Sequence, residues 1–489
     1  MIAFGELLKS YITESGYTVY RLSKQTGIER TGIHRALSGQ RILSEDAVYK
    51  LMDFLQLESL ERDKLMEAYE IERMGAQTYY QRKIIRSIIE ALTLACETPA
   101  LEINTPKRIE VPENLFTNHT FLHGKYQIIS QLGLLIEHEL YQVDSPYIGL
   151  FIGHDQGFLN RIIPTYHPTK KSGSLSSLPV IEQLIPFSRQ MVPDDTDILN
   201  LELLRTILPF SLTVGAKYHI YYYYTSCSYE FFDNLIFPYY IILKDCVVLL
   251  SADLQHAFLC RSEEYIDFYK KQFSEILKQS KRLVKEFTET INIIEHFTGF
   301  PPLADRQYFI EYGPCILSSA DSSILDHMLP ADVPDRDFVL KYMEKDVTHL
   351  QSVDQPYFIF TQEGLELFME TGVITDFPEG FTLPLSPEDR MKILKRLYQS
   401  CVEETQVIEI MNPEGIAFPG NLSIRASDCY GVGFFLYHDK KSSHYLYLTE
   451  HTLTEAFTDF ISSIADSSLV YPKKTTLEIL ENTIKKYSQ

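Results

Sequence analysis

Apolar residues recur at three- and four-residue spacing through the first 95 positions, which is the pattern of helices that bury one face. An opening and a closing helix show it most clearly, with apolar stripes formed by Phe4, Leu7, Leu8, Tyr11 and Ile12 and by Ala47, Leu51, Phe54 and Leu55. Further helices are predicted over Leu60–Arg73 and Tyr79–Ala95. The N-terminal region is therefore predicted to be all-α.

Residues 18–41, TVYRLSKQTGIERTGIHRALSGQR, predict two short helices joined by a tight turn. Thr18 is placed to cap a first helix from about Val19 to Thr26, because its side-chain oxygen can accept from free N–H groups. Gly27 supplies the turn, since a residue without Cβ takes a left-handed conformation at little cost. Ile33 is predicted to hold the second helix against the first, which leaves the polar residues of the second helix facing outward.

This segment resembles the helix-turn-helix of the lambda-repressor-like (Cro-type, XRE family) transcription regulators, over roughly residues 4–70. The matching positions are Leu22-Ser23, Thr26-Gly27-Ile28, Ile33 and Ser38-Gly39-Gln40-Arg41. Val19 departs from the family, because many members carry a base-contacting glutamine there, and Leu37 stands where many carry a glutamate. The resemblance implies a recognition helix that enters the major groove of double-stranded DNA.

The candidate DNA-binding residues belong to this segment: Thr18, Val19, Glu29, Arg30, Thr31, His34, Arg35, Ser38, Gln40 and Arg41. Three of them, Arg30, Thr31 and Arg35, are expected to reach base edges, because arginine pairs well with O6 and N7 of guanine. Glu29 and His34 are expected to add to this readout. The remaining polar side chains and backbone N–H groups are expected to set the register on phosphates. The alternative is a degenerate helix-turn-helix used only for packing or dimerisation.

Charge is distributed unevenly along the chain, whose 489 residues carry a formal net charge of −21. Through Leu92 the sequence has 13 basic and 13 acidic residues, so the remainder, with 32 basic and 53 acidic, carries the whole excess. Residues 18–41 hold five basic residues against Glu29. Because nucleic acid attracts the basic segment and repels the acidic remainder, DNA contact is expected only near the N-terminus.

Cysteine usage and hydropathy indicate a cytoplasmic location. The seven cysteines are an odd number without a CxxC pair, which argues against a disulfide framework and against a cysteine zinc site. The opening helix contains Glu6 and Lys9, unlike a secretory signal. No uncharged apolar run reaches the length of a membrane span, so no membrane partner is expected.

The length of the chain favours several domains. We predict a helix-turn-helix domain at 1–73, a helical connector and linker at 74–118, and two α/β lobes at 119–300 and 301–489. The predicted fold class is thus multidomain, with an all-α N-terminal domain followed by a large α/β (α+β) region. That the two lobes are duplicated is a hypothesis.

Two pairs of similar segments support the duplication. Val143–Tyr147 (VDSPY) and Val353–Tyr357 (VDQPY) each precede an apolar strand, where the proline favours an extended backbone. Phe237–Cys246 and Phe418–Cys429 each lead through Asp-Cys into an apolar hairpin and an aromatic-bearing helix. We expect the members of each pair to superpose and the lobes to enclose a ligand cleft. Such lobes behind a DNA-binding domain weakly resemble sensor domains related to the phospholipase-D fold.

Catalytic and cofactor motifs are absent from the sequence: no GxSxG, P-loop, HExxH or GxGxxG occurs. His438-Asp439-Lys440 matches the HxK triplet of phospholipase-D-like enzymes, but it stands in a polar hairpin turn without the downstream aspartate. The 14 histidines are scattered without metal-ligand spacing, so neither metal nor cofactor is expected. Tyr221–Tyr224 are expected to belong to a central strand, with a pocket lining as the alternative. The acidic residues at 194, 195 and 197 are expected to be a solvated loop.

The leading hypothesis is a cytoplasmic transcription regulator that binds an operator as a homodimer and senses a small molecule or peptide with its C-terminal region. The apolar stripe of Ile84, Ile85, Ile88, Ile89 and Leu92 is either a dimer contact or the first helix of the next domain. The alternative function is a defence-type effector or enzyme whose lobes carry an unrecognised activity, with the helix-turn-helix for autoregulation or DNA tethering. An interaction scaffold is a third hypothesis.

Overall fold

A computed structural model shows two units, Met1–Ile84 and Ile85–Gln489, which are described separately. The division falls inside one helix, eleven residues beyond the predicted boundary at 73, and both predicted lobes belong to the second unit. The structure describes residues 3–97, 117, 119–153, 156–163, 179–188, 196–213, 217–225, 235–287, 292, 306–377, 380–413, 418–427, 431–439, 442–464 and 467–488. The predicted linker at 97–118 therefore lies almost wholly outside the described residues.

The first unit is helical, as its apolar spacing predicts. Its helices are α1 (Phe4–Glu14), α2 (Val19–Thr26), α3 (Arg30–Leu37), α4 (Glu45–Leu55) and α5 (Ser59–Met74), and α6 (Ala76–Glu97) begins in it and continues into the second unit. Phe4, Leu8, Leu22, Ile33 and Leu51 are buried together in its core. The two short helices thus rest on the stripes of the longer ones.

The ends of α2 are set by the residues that the sequence suggested. The Thr18 hydroxyl accepts a hydrogen bond from the Arg21 N–H at 3.3 Å. Gly27 ends the helix with a φ of 73°, a left-handed conformation that disfavours side chains with Cβ. These two local signals confirm the predicted helix from Val19 to Thr26.

Two mixed sheets with helices around them build the second unit. Its helices are α7 (Lys125–Gln142), α8 (Gln156–Ile162), α9 (Thr196–Thr213), α10 (Glu263–Gln279), α11 (Ser322–Met328), α12 (Arg336–Ser352), α13 (Gln362–Thr371), α14 (Pro387–Glu403), α15 (His451–Ser463) and α16 (Lys473–Tyr487). The strands of the first sheet are β1 (His119–His123), β2 (Tyr147–Phe151), β3 (Val180–Ser188), β4 (Lys217–Thr225), β5 (Tyr239–Ile242), β6 (Val247–Leu250), β7 (His256–Cys260) and β8 (Lys281–Arg282). The strands of the second are β9 (Val284–Phe287), β10 (Gln307–Glu311), β11 (Tyr357–Phe360), β12 (Val407–Ile410), β13 (Leu422–Ser427), β14 (Gly431–Asp439) and β15 (Ser442–Leu448). The chain is therefore a multidomain α/β protein.

The two sheets have the same topology. From one side, the first sheet runs β4-β3-β2-β5-β6-β7-β1 and the second β12-β11-β10-β13-β14-β15-β9, with β8 added outside β4. In each sheet the first three strands are parallel and the other four continue antiparallel. Chain order and sheet position agree strand by strand, which is what two related lobes require.

The predicted lobe boundary at 300 is wrong. Residues 284–287 form β9, which pairs with β15 at the edge of the second sheet, while β8 directly before it pairs with β4 of the first sheet. The backbone therefore leaves one sheet and enters the other within a few residues. A hydrophobic pattern does not reveal this crossing, because both strands are short and half-exposed.

One of the two proposed segment equivalences agrees with the sheets. Phe237 precedes β5 and Phe418 precedes β13, and these strands hold the same position in the two sheets. In contrast, Tyr147 begins β2 whereas Tyr357 begins β11, which corresponds to β3. The expected superposition of VDSPY on VDQPY is therefore wrong by one strand. Asp428 and Cys429 lie outside the described residues.

The VDSPY and VDQPY segments nevertheless make the same local structure. Their third residues, Ser145 and Gln355, both have positive φ, at 55° and 47°. Each proline carbonyl then accepts from the first valine N–H of the neighbouring parallel strand, at 3.2 and 3.0 Å. Each tyrosine hydroxyl donates to a glutamate on that strand, Tyr147 to Glu182 at 2.9 Å and Tyr357 to Glu409 at 3.1 Å. The short motif therefore encodes a strand-start geometry rather than a place in the sheet.

Candidate nucleic-acid interface

The outer side of the α2–α3 segment carries nearly all the predicted DNA-binding residues. Arg30 and His34 lie one helical turn apart on α3, and Thr31 and Arg35 form the adjacent row; all four are exposed. Glu29 and Thr18 at the helix starts, and Ser38, Gln40 and Arg41 after α3, are exposed as well. A single face of one short helix therefore presents two arginines, a histidine and a hydroxyl.

Val19 does not share this exposure. Its side chain is half-buried against the core of the first unit. A valine here therefore contributes packing, whereas the family pattern places a polar side chain that contacts bases.

The five basic residues at positions 18–41 form no ion pair with any described residue. Arg30, Arg35, Arg41 and Lys24 form no ion pair with any residue that the structure describes, and Arg21 lies over the Tyr17 ring at 4.9 Å. The Coulomb attraction of these cations is therefore not already satisfied by a neighbouring carboxylate. We call the surface formed by Arg21, Lys24, Arg30, Arg35 and Arg41 the basic surface.

Elsewhere in the first unit most basic residues have a carboxylate partner. The pairs are Lys50–Asp46 at 2.5 Å, Arg62–Asp53 at 2.8 Å, Arg73–Glu70 at 2.7 Å and Lys83–Glu67 at 3.1 Å. Lys9 and Lys64 form no ion pair with a described residue, and Arg82 contacts the Met74 sulfur at 3.9 Å. The unit as a whole is close to neutral, but its unpaired positive charge is concentrated around α3. Such a concentration of positive charge attracts the negatively charged phosphates of nucleic acid.

Local hydrogen bonds fix the two ends of α3. The Thr31 hydroxyl donates to Glu29 Oε1 at 2.5 Å, so these two side chains act as one unit at the N-terminal end. At the other end the Arg35 carbonyl accepts from the Ser38 hydroxyl at 3.0 Å and from the Gln40 N–H at 2.8 Å. The turn that carries Ser38, Gln40 and Arg41 is thereby held in one conformation beside Arg35.

Two glycines in this region have opposite surroundings. A Cβ on Gly5 of α1 would lie 2.6 Å from the Ala36 carbonyl oxygen, so α1 approaches α3 closely at this point. A Cβ on Gly32 within α3 would meet only Glu29 Cβ, at 3.9 Å. Gly5 is therefore needed for the packing that positions α3, whereas Gly32 is not required by space.

In the second unit, β4 carries the tyrosine-rich segment. Tyr218, Ile220 and Tyr222 alternate into the core, with 4%, 1% and 5% of their surfaces exposed, and Tyr222 contacts Phe187 with ring centroids 5.1 Å apart. The segment is therefore a strand with aromatic core residues, as expected, but it is not central, because only the two-residue β8 lies outside it in the sheet. Tyr222, Tyr223 and Tyr224 also line a cavity of about 460 Å³ beside α10.

A buried carboxylate links the two sheets where β4 ends. Glu450 is fully buried, and its side chain caps α15 by accepting from the Leu453 N–H at 2.9 Å and from the Thr452 hydroxyl at 2.8 Å. The Tyr224 hydroxyl donates to its other oxygen. Nothing in the local sequence marks Glu450 as functional, because its interaction with Tyr224 spans 226 residues.

Two further cavities lie in the second unit. One of about 530 Å³ is lined by Tyr147, Glu182, Lys244 and Lys270, and the other, of about 440 Å³, by Ser319, Asp321, Arg396 and Gln406, among others. Each is lined by residues of a single lobe, as is the cavity beside β4. The ligand cleft between the lobes therefore stays a prediction.

Two carboxyl groups and a thiol cluster at the carboxyl end of β10, where Glu311 and Cys315 are buried and Asp376 is half-buried. The ligand atoms of Glu311, Cys315 and Asp376 lie within 4.8 Å of one another. Burial and the neighbouring Asp376 raise the pKa of Glu311, and burial raises the pKa of Asp376 to about 8. The raised pKa values favour the neutral, protonated forms of the two carboxyl groups.

Of the HxK triplet, His438 and Asp439 end β14 and Lys440 lies outside the described residues. Of the acidic cluster expected as a loop, positions 194 and 195 lie outside the described residues, whereas Asp197 is the second residue of α9, so the loop expectation is wrong there. The stripe on α6 is buried in this chain, with Ile85, Ile88 and Leu92 fully inaccessible. That stripe cannot be a free dimer contact, so the other alternative, the first helix of the next domain, agrees with the structure.

The histidines are not all scattered, since His123 and His256 are in direct contact.

Comparison with known proteins gives no family. No protein-family model and no curated protein matches the sequence. Among solved structures, TrmBL2, an archaeal chromatin protein described as having a novel mode of DNA binding, is 10% identical with a TM-score of 0.20, over 54% of this chain and 98% of that one. Polyphosphate kinase from Porphyromonas gingivalis is also 10% identical, with a TM-score of 0.22, over 80% of this chain and 60% of that one. At these scores neither likeness supports a functional argument.

Among the described helices, none combines the length and the hydrophobicity that crossing a membrane would need.

Proposed function

We propose that this chain is a sequence-specific DNA-binding regulator whose first unit contacts an operator through α3. The observation that carries the proposal is the basic surface: five exposed cations around one short helix, none of them in an ion pair with a described residue. Unpaired arginines on an exposed helix are suited to both phosphates and guanine edges. The resemblance of residues 4–70 to Cro-type regulators supports the same conclusion.

The contacts divide by position on the surface. Arg30 and Arg35 are proposed to reach base edges, with the Thr31–Glu29 pair and His34 completing the readout. Ser38, Gln40 and Arg41, in the turn fixed by the Arg35 carbonyl, are proposed to bind phosphates together with Thr18. Val19 is proposed to act only through packing.

The regulator is proposed to act as a homodimer, because one recognition helix covers few base pairs and two half-sites restore specificity. Its contact surface is not the stripe on α6, which is buried within the chain. Sedimentation of the full chain with and without its selected DNA tests this proposal. Monomers under both conditions would refute it.

The second unit is proposed to sense a small molecule or peptide. Its three cavities, of about 440 to 530 Å³, fall in the size range of small-ligand sites. Catalysis is not part of this proposal.

Selection of bound sequences from a random double-stranded library, with the full chain as bait, tests the DNA-binding function. The expected result is a short enriched motif that the chain binds more tightly than a scrambled sequence of equal length and composition. The Lys50→Ala variant is a matched control, since it removes a paired cation on α4 and should select the same motif. Recovery of unselected library sequences alone would contradict the proposal.

A further inference from the structure

The antiparallel pair β1–β7 places two histidines opposite each other at the edge of the first sheet. In this register His123 is the direct partner of His256, and both side chains are exposed. Their Nδ1 atoms lie 3.1 Å apart and their ring centroids 5.3 Å apart. Because 133 residues separate the two positions, sequence spacing does not reveal the contact.

We propose that His123 and His256 form a two-imidazole site for a divalent transition-metal ion such as Zn²⁺, Ni²⁺ or Cu²⁺. With metal–nitrogen bonds of about 2.0–2.1 Å, two nitrogens on one tetrahedral ion lie roughly 3.3 Å apart, and at a right angle about 2.9 Å. The observed separation falls between these values, so binding needs little movement. Neutral imidazole is a ligand that these borderline ions share.

Binding replaces a hydrogen bond by two coordinate bonds. In the metal-free pair one Nδ1–H donates to the other Nδ1, so one ring must shift its proton to Nε2 before both lone pairs face the ion. This tautomer change needs no oxidant and releases no net proton from the neutral rings. Water completes the coordination of the ion.

A carboxylate near the pair favours a cation. Asp253, in the turn between β6 and β7, accepts from the Ser251 hydroxyl at 2.6 Å and from the Gln255 N–H at 3.0 Å. These hydrogen bonds, with a smaller contribution from the charge of His256, lower the pKa of Asp253. An anionic carboxylate therefore lies in the turn that leads into β7, three residues before His256.

The ion would join the edge strand to the rest of the sheet. β1 has five residues and, among the described strands, pairs only with β7. An ion bound to one residue of each strand ties them together and stabilises the folded form by mass action. The site is independent of the basic surface and of the proposed DNA-binding function.

Calorimetric titration of the tag-free, chelator-treated full chain with Ni²⁺ tests the site. The expected result is one ion per chain, with affinity lowered by about tenfold or more in His123→Ala and in His256→Ala. His119→Ala is the matched control, because His119 is exposed on the same strand and stacks on Phe258 instead of facing His256. It should bind Ni²⁺ like the unchanged chain.

A second measurement covers the case in which a variant fails to fold. Electron paramagnetic resonance of Cu²⁺ added to the unchanged chain should show coupling to two imidazole nitrogens, and a circular dichroism spectrum identifies misfolded variants. Absence of binding, or equal binding by all three variants, would overturn the proposal and leave the pair as a hydrogen bond only.

Discussion

The two units use the same charged residue types in opposite ways. In the first unit, Arg30 and Arg35 are exposed on α3 and pair with no described carboxylate. In the second unit, Arg425 is only partly exposed on β13, lies 3.4 Å from the partly exposed Asp346 and stacks over the Phe309 ring at 4.9 Å. A charge that the fold has already neutralised supports the structure, whereas an unpaired one is free to bind a partner. Exposure and pairing, rather than residue type or net charge, separate the two roles.

Removal of this partly buried cation should have the largest effect on stability. Arg425→Met leaves Asp346 without the charge-assisted hydrogen bond, and we expect it to lower the free energy of unfolding by about 1.5–3 kcal/mol. Arg396→Ala is the control: it removes an exposed pair with Asp321, at 2.6 Å, and should cost at most about 1 kcal/mol. Urea unfolding followed by near-ultraviolet circular dichroism measures both. Equal losses of unfolding free energy in the two variants would show that partial burial does not strengthen an ion pair in this chain.

The raised pKa of Asp376 predicts that the stability of the folded chain depends on pH. Because burial raises the pKa of Asp376 to about 8, the folded chain keeps a proton that the unfolded chain releases near pH 4. The stabilisation from this proton is complete below about pH 4 and is lost as the pH rises towards 8. Asp376→Asn should flatten the decline in stability across this window. Asp321→Asn, in which a carboxyl of lowered pKa is removed, should leave it unchanged.

Packing that positions the basic surface depends on Gly5. Gly5→Ala places a Cβ 2.6 Å from the Ala36 carbonyl, and we expect a loss of about 1–3 kcal/mol in the stability of the first unit. Gly32→Ala meets no close atom and should stabilise α3 by about 1 kcal/mol. Thermal unfolding monitored at 222 nm compares the two. Destabilisation by both substitutions would show that α3 does not pack as described.

Among single changes on the basic surface, Arg35→Ala should weaken binding to the selected DNA motif by about 1–3 kcal/mol and relax preference at one base pair. Arg41→Ala should instead weaken binding to all sequences alike, as loss of a phosphate contact does. Fluorescence anisotropy on the motif and on its single-base variants measures both effects. Equal losses by Arg35→Ala on every sequence would make Arg35 a phosphate contact.

The predictions from sequence succeeded where the determining interactions are local. Thr18 and Gly27 fixed the ends of α2 because a cap and a left-handed turn involve neighbours only a few residues away. The VDSPY and VDQPY segments both lead into strands, as predicted, and the structure adds that both have positive φ and a tyrosine–glutamate hydrogen bond.

Predictions that depend on distant partners failed or were not made. The strand equivalence of VDSPY and VDQPY was wrong because sheet order is set by pairing between distant strands, and β9 was assigned to the wrong lobe for the same reason. The stripe on α6 left two alternatives open, since its pattern is the same whether another chain or this chain covers it. Tyr224–Glu450 and His123–His256 join residues more than a hundred positions apart, and nothing in the local sequence marks them.

The central claim is tested most directly by two fourfold variants with the same change in net charge. One replaces Lys24, Arg30, Arg35 and Arg41 of the basic surface by alanine, and the other replaces the paired Lys50, Arg62, Arg73 and Lys83. Affinity for duplex DNA is measured by anisotropy across a salt series. We predict that the first variant loses most of its affinity and that its slope of log K against log salt decreases by at least about 1, the contribution of the phosphate contact of Arg41, whereas the second stays close to the unchanged chain. Equal losses in the two variants would contradict the claim that unpaired charge around α3 binds DNA.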